Sequence, residues 1–254
     1  MSPTLAPPPK AAKPVSRSAK SQPVAPTRLK PPGVVDGSVT VPASAHTLDG
    51  FRKWVRGGGV PDGVKAAYWD GEVWLEMTNE RLKSHSAPKS RVVGAMQKWF
   101  DDAGVGRALT DGPLLVNDSA DLSNGPDAVA VLWSSFDEGR VSLGTPTADG
   151  RDSVELIGSP DLVVEVVSPP SVDKDTQVLA AKYFQAGIPE YWIVDALTDP
   201  PTLRVLVRGE EGYVEAAAGE DGWQRSGVLG RDVRMVVREQ PHGFVDTLFE
   251  DRGA

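Results

Sequence analysis

The stretch Asp161-Leu162-Val163-Val164-Glu165-Val166-Val167 decides how the rest of the chain is read. It is almost continuously apolar, as expected of a central strand covered on both faces, and Pro169-Pro170 end it. An ionised carboxylate inside such a strand is costly unless it is paired or binds a metal. Glu165 therefore demands a partner. A second acid, Asp127, stands in Gly125-Pro126-Asp127, directly before another apolar run, Ala128-Val129-Ala130-Val131-Leu132. A buried ion pair or an edge position would account for Glu165; so would a carboxylate–metal site. Two acids from adjacent strands, a backbone carbonyl and waters suit Mg²⁺, which prefers oxygen ligands and keeps several waters. A nearby lysine would then stabilise the attacking hydroxide or the pentavalent phosphate.

Outward from this strand, residues from Asp173 to Ala186 read as a helix that stops at Gly187. Tyr191-Trp192-Ile193-Val194 reads as another buried strand. Upstream, Ser86 to Ala103 carries Val92, Val93, Met96, Trp99 and Phe100 at helical spacing. Asp70-Gly71 between Tyr68-Trp69 and Val73-Trp74-Leu75 predicts a hairpin. Thr47 is placed to cap a short helix through Val55, which Gly57-Gly58-Gly59 ends. Strands are expected at 107–116, 128–133, 140–144, 153–157, 202–208, 212–217 and near 233–237. Helices and strands so interleaved predict an α/β fold, with one mixed β-sheet flanked by α-helices as the economical arrangement.

The chain has 254 residues, enough for one large domain with a tail. Residues 1–33 hold nine prolines, and residues 1–35 hold six basic residues and no acid. Such a segment has little to bury against its ordering entropy. Residues 1–43 are accordingly expected to be a disordered basic Pro/Ala/Lys-rich tail, and 44–254 the folded domain. The remainder, with 21 basic and 35 acidic residues, has a net charge of −14. An acidic body argues against strong non-specific binding of nucleic acid but leaves room for a local basic groove. The absence of cysteine excludes disulfides, thiolate zinc sites and cysteine nucleophiles, and fits a reducing cytoplasm. No apolar run approaches the ~20 residues of a membrane span, and no apolar segment of a secretory signal follows Met1. There is no Walker A sequence and no G-x-S-x-G elbow. Gly57-Gly58-Gly59 is followed by Pro61 rather than a helix and reads as a turn; Ser86-Ala87-Pro88-Lys89 has Ser-x-x-Lys spacing without a companion motif.

Gly158-Ser159-Pro160-Asp161-Leu162-Val163-Val164-Glu165-Val166-Val167-Ser168-Pro169 is followed by Lys174-Asp175 and by the segment Tyr183 to Asp195. Together with Asp70-Gly71-Glu72-Val73-Trp74, Glu80, His85 and Pro126-Asp127, this order and spacing resembles the Uma2 (DUF820) group of endonucleases, within the PD-(D/E)XK nuclease superfamily. The resemblance spans about residues 46–237. It implies a restriction-endonuclease-like core, with Asp127 as the aspartate of the "PD" element and Glu165 as the acid of the "(D/E)XK" element. Both would be metal ligands, for Mg²⁺ or Mn²⁺. The chain departs from the pattern where the motif lysine is expected, because Val167 stands two residues after Glu165, and the position four residues before Tyr183 is Leu179. Lys174 and Lys182 on the following helix are the candidate replacements. The resemblance also brings His85 and Glu80 near the site, although a histidine at a helix start is commonly a cap or a surface residue. Asp161 reads as a strand-start turn residue, and Tyr183, Tyr191 and Trp192 as core.

Two functions follow from the resemblance. The first is a Mg²⁺-dependent endonuclease hydrolysing DNA phosphodiester bonds. The second is a catalytically degenerate nuclease-fold module that binds nucleic acid or protein. Retention of both acids speaks for the first; the acidic body, Val167 and Leu179 speak for the second. DNA is the expected partner, no membrane is involved, and a homodimer is left open.

Overall fold

The structure, a computed structural model, describes residues 39–253 except 78, 112 and 147–149. Residues 1–38, most of the expected tail, lie outside the described residues. No described helix is long and apolar enough to cross a membrane.

Thr47 caps α1 (Leu48–Arg56) by accepting a hydrogen bond from the Gly50 N–H. The expected hairpin follows as β1 (Lys65–Trp69) and β2 (Glu72–Glu76). Its turn residues Asp70 and Gly71 both have positive φ, 48° and 86°, as a two-residue type I′ turn requires. One turn of π-helix, Leu82–Ser86, leads into α2 (Ala87–Ala103). Then come β3 (Gly106–Thr110), β4 (Leu114–Asn117), β5 (Leu122–Asn124), β6 (Ala128–Leu132), the short α3 (Trp133–Asp137), β7 (Val141–Leu143) and β8 (Glu155–Gly158). The decisive stretch forms β9 (Leu162–Val166), buried at every residue. A second π-helical turn, Lys174–Val178, opens α4 (Leu179–Gln185), and Gly187 leaves that helix at φ 78°. β10 (Glu190–Asp195), β11 (Thr202–Arg208), β12 (Tyr213–Glu215), β13 (Gln224–Ser226), β14 (Arg231–Gln240) and β15 (Phe244–Arg252) complete the chain.

The fold is mixed α/β, but its strands divide between two six-stranded mixed sheets and a three-stranded meander rather than forming one sheet. The orders are β2-β1-β5-β4-β8-β7, β12-β11-β10-β9-β6-β3 and β13-β14-β15. The break falls inside the expected strand 107–116. Asp111 takes a positive φ of 44° and Pro113 follows, so β3 joins one sheet and β4 the other.

In β9, Leu162, Val164 and Val166 face α2 and the apolar residues Val233, Met235 and Phe249 of the β14–β15 ribbon. Val163 and Val167, on the other face, join α4 and Leu115, Leu122 and Leu156 of the first sheet. The first sheet's outer face packs Tyr68, Leu114 and Val116 on Phe51 of α1. Large side chains such as Trp192 and Tyr183 are fully buried, each contributing about 1.5–3 kcal/mol. This layering places Glu165, which alternates with Leu162, Val164 and Val166 and shares the face of Val163 and Val167, on the second, α4-facing side of β9.

Candidate active site

β6 and β9 run antiparallel, with Ala128 opposite Val164 and Val129 opposite Val163. One step further, this register sets Asp127 across from Glu165. Asp127 accepts a hydrogen bond on Oδ2 from the Val166 N–H at 2.8 Å, so the carboxylate just before one strand is pinned to the backbone of its neighbour. Glu165 is only 3% exposed. Its Oε1 accepts from Asn124 Nδ2 at 2.9 Å and from the Tyr183 hydroxyl at 2.7 Å. Burial raises the Glu165 carboxyl to about 8, with Asp175 and Asp127 adding repulsion and the Lys174 ammonium opposing both.

Asp127 is also buried, yet its carboxyl is held well below the usual range. Burial works against the charge, but His85, Lys65 and the Val166 N–H overcome it. His85 lies between two acids, with Nε2 3.3 Å from Asp127 Oδ2 and Nδ1 3.4 Å from Glu80 Oε2. The ring is buried, neither an exposed side chain nor a helix cap, and Nδ1 has no hydrogen-bond partner. Burial opposes its protonation; the Asp127 hydrogen bond and charge prevail and push the imidazole up. The π-helical turn puts it there, since the Ser86 N–H reaches back five residues to the Arg81 carbonyl at 3.0 Å. Such turns are rare and occur frequently at functional sites.

The other oxygens of the same two carboxylates face lysines. Lys65 Nζ is 3.1 Å from both Glu80 Oε1 and Asp127 Oδ1. Lys89 Nζ is 2.6 Å from Glu80 Oε1, 2.9 Å from Asp111 Oδ1 and 3.7 Å from Asp127 Oδ1. Although burial opposes the ammonium charge, these carboxylates raise both lysines above their ordinary values. Burial opposes the Glu80 charge in turn, but Lys89 and Lys65 lower its carboxyl below the ordinary value. Lys65 remains 39% exposed along its side chain. It lies on the wall shared by two cavities of about 290 and 410 Å³. Glu80 and His85 line the larger, Asn124, Pro126 and Lys174 the smaller.

The two candidate helix lysines end in different places. Lys174 is buried, 3.0 Å from Asp175 Oδ1 and 4.5 Å from the Trp74 ring centroid, and its charge acts on Glu165. Lys182 instead reaches Asp70 Oδ1 at 2.5 Å in the hairpin turn, the Ala120 carbonyl at 3.0 Å and Gln185 Oε1 at 3.1 Å. Asp161 accepts from the Leu132 N–H and Ser135 Oγ and pairs with Arg140, a structural role at the start of α3. Tyr191 donates to the Asp175 carbonyl and Trp192 to Glu190, both within the core.

Glu80, His85 and Asp127 each offer a ligand atom, and these atoms all lie within 4.8 Å of one another. Two carboxylates and an imidazole are donors for a divalent cation of the Mg²⁺–Mn²⁺ class, with the imidazole favouring Mn²⁺. The buried Nδ1, 3.4 Å from Glu80 Oε2 and without a hydrogen bond, fits such an ion. Glu165 stands outside this group of three, beside the Asp127 backbone anchor. Sequence reading missed Lys65, Lys89 and Asn124. For Lys89 a signal existed: it falls on the buried stripe of α2 with Val92, Val93, Met96 and Phe100, and a lysine in a core stripe raises the same question as Glu165 in a core strand.

The family model that describes Uma2 as "putative restriction endonuclease" matches residues 48–237. A solved structure described as a "putative nuclease belonging to DUF820" from Anabaena variabilis is similar over 72% of this chain and 90% of that chain, with a TM-score of 0.54 and 19% identity. At that identity the likeness shows the fold. No curated protein matches the chain.

Proposed function

The chain belongs to the Uma2 family, and from that premise we propose that it is a divalent-metal-dependent endonuclease hydrolysing phosphodiester bonds in DNA. The observation that carries the reading is His85, buried between Glu80 and Asp127 with Nδ1 unsatisfied. A buried polar atom without a partner costs about 1–3 kcal/mol, which coordination would offset. Glu80, His85 and Asp127 would hold Mg²⁺ or Mn²⁺. When bound, the ion lowers the pKa of a water and neutralises the scissile phosphate.

The chain's own groups supply the rest. Asp127 stays ionised at neutral pH because His85, Lys65 and a backbone N–H hold it so. Lys65, exposed on the cavity wall, is the ammonium available to a phosphate oxygen; Lys89, buried, fixes Glu80. Glu165, whose carboxyl burial raises in the metal-free protein, is oriented through Tyr183 and Asn124. Lys174 is the helix lysine that takes part, through its field on Glu165.

Supercoiled plasmid incubated with Mn²⁺ or Mg²⁺ tests the proposal. The wild type should nick and linearise it, EDTA should stop the reaction, and Asp127→Ala should lose at least about 100-fold in rate. An intact plasmid with the wild type under every divalent ion would refute the nuclease reading. One observation favours a second reading, a binding module without catalysis: Lys65 and Lys89 already neutralise Glu80 and Asp127 without any metal. Retention of DNA in a mobility-shift assay with no cleavage would select it.

A further inference from the structure

We propose that the smaller cavity beside the carboxylate group is a pocket for a single unpaired nucleobase of the substrate. This rests on the nuclease reading and adds a substrate preference to it. The cavity measures about 290 Å³, near the lower end of small-molecule pockets at about 300 Å³. That is room for one base. Its walls are mostly apolar, from Val64, Ala66, Trp74, Leu114 and Val154. Against these apolar walls a base would bury its faces. Polar groups stand only along part of the lining, and they are largely basic: Lys65 and Lys174, with Asp111 and Asn124.

The position of Lys65 connects the pocket to the chemistry. The same ammonium that lies 3.1 Å from Asp127 Oδ1 forms part of the pocket wall. Pro126, directly before Asp127, is another wall residue. A phosphate held at Lys65 therefore has its own nucleoside at the pocket mouth. Lys174, paired with Asp175, sits 4.5 Å from the Trp74 ring centroid and covers one face of the indole, so a base would meet the other. Aromatic walls of this kind accept every base, because each has a π-face, with about 1–3 kcal/mol per stacked base. Lys65, Lys174 and Asn124 on the wall are already engaged by Asp127, Asp175 and Glu165, so the preference proposed is for an unpaired base rather than for a sequence. Extruding a base from an intact duplex costs a few kcal/mol and least where the base is already unpaired.

The test uses the full chain and two 30-mer duplexes, one fully paired and one with a single unpaired 2-aminopurine. With Ca²⁺ in place of a cleaving ion, the bulged duplex should bind at least about tenfold more tightly, with quenched 2-aminopurine fluorescence. With Mn²⁺ it should be cut faster by a similar factor. Val154→Trp fills the pocket from a half-exposed position. It should abolish the quenching and the tenfold preference while leaving Mn²⁺ affinity, measured by calorimetry, unchanged. Trp74→Ala should weaken the quenching as well. Equal binding of the two duplexes by the wild type, or a preference that survives Val154→Trp, would overturn the pocket. Quenching that Val154→Trp abolishes, without cleavage of any DNA, would instead keep the pocket and refute the nuclease reading.

Discussion

The Val166 backbone N–H donates a 2.8 Å hydrogen bond to the Oδ2 of Asp127. The bond lies between the strand that Asp127 precedes and the strand that holds Glu165. It makes Asp127 both an anchor of the sheet and a member of the group it forms with Glu80 and His85. Substitution there consequently acts on stability and on chemistry together, and variants at the other members separate the two.

Metal binding follows from the donor set. Isothermal calorimetry should detect Mn²⁺ binding to the wild type. Glu80→Ala or His85→Ala should weaken it by about 10–100-fold, and Asp127→Ala should abolish it. Glu165→Ala should weaken it less than Asp127→Ala, because Glu165 lies outside the three-residue group. An unchanged isotherm for His85→Ala would remove the imidazole from the ligand set.

Glu165 should make the metal-free protein lose stability as the pH rises. Its carboxyl is raised from the ordinary value of 4.5 to about 8 by burial. Between those values the native state keeps a proton that the unfolded chain releases. Stability from this group is thus complete below about pH 4.5 and is lost as the pH climbs through about 8. Glu165→Gln, an uncharged replacement that can still accept from Tyr183 and Asn124, should flatten that slope. It should gain roughly 1–3 kcal/mol over the wild type at pH 9 relative to pH 5. Urea titrations in EDTA at the two pH values provide the measurement, and parallel curves for the two proteins would contradict it.

The two helix lysines should behave differently. Lys174→Met removes a buried charge facing Glu165 and Trp74, so plasmid cleavage should drop by about tenfold or more. Lys182→Met breaks contacts with Asp70 and the Ala120 carbonyl. It should cost about 1 kcal/mol of stability and leave cleavage within about twofold once folding is matched. The reverse pattern would shift the role to Lys182.

Deleting residues 1–33 should leave the melting temperature nearly unchanged, since a segment with nine prolines has little apolar surface to bury. If the six basic residues of the tail contact DNA, the deletion should also flatten the dependence of DNA affinity on salt. A melting temperature lowered by more than about 4 °C, the scale of 1 kcal/mol in a domain, would show that the tail packs on the body.

Much of this arrangement was legible because charge stood where apolar residues were expected. Glu165 in β9 and Asp127 before β6 announced themselves by their neighbours, and the Asp70-Gly71 hairpin and the start of α1 by turn and cap chemistry. Lys65 gave no such sign, because a lysine at a strand end is ordinary; only the fold reveals that Glu80 and Asp127 converge on it. The division into two sheets was not legible either. It depends on pairings between distant segments, such as β1 with β5 and β4 with β8, which no local pattern encodes. β15 escaped because its residues alternate with charges on a half-solvated ribbon, and its pairing with β14 is what makes it a strand.

His85 and Lys174 are both delivered by single π-helical turns, each at the head of an otherwise regular helix. Such a turn carries one residue more than the α-helical turn it replaces, and in an α-helix each residue advances about 100°. Loss of one codon within 82–86 or within 174–178 would let the backbone relax into the commoner, better-bonded helix. The helix behind it would keep its packing, while the residues of the turn would be rotated against their partners. Each turn is therefore a point where one in-frame deletion would separate foldability from the placement of a charged group, a short genetic route to a paralogue that retains the shape and loses the cluster.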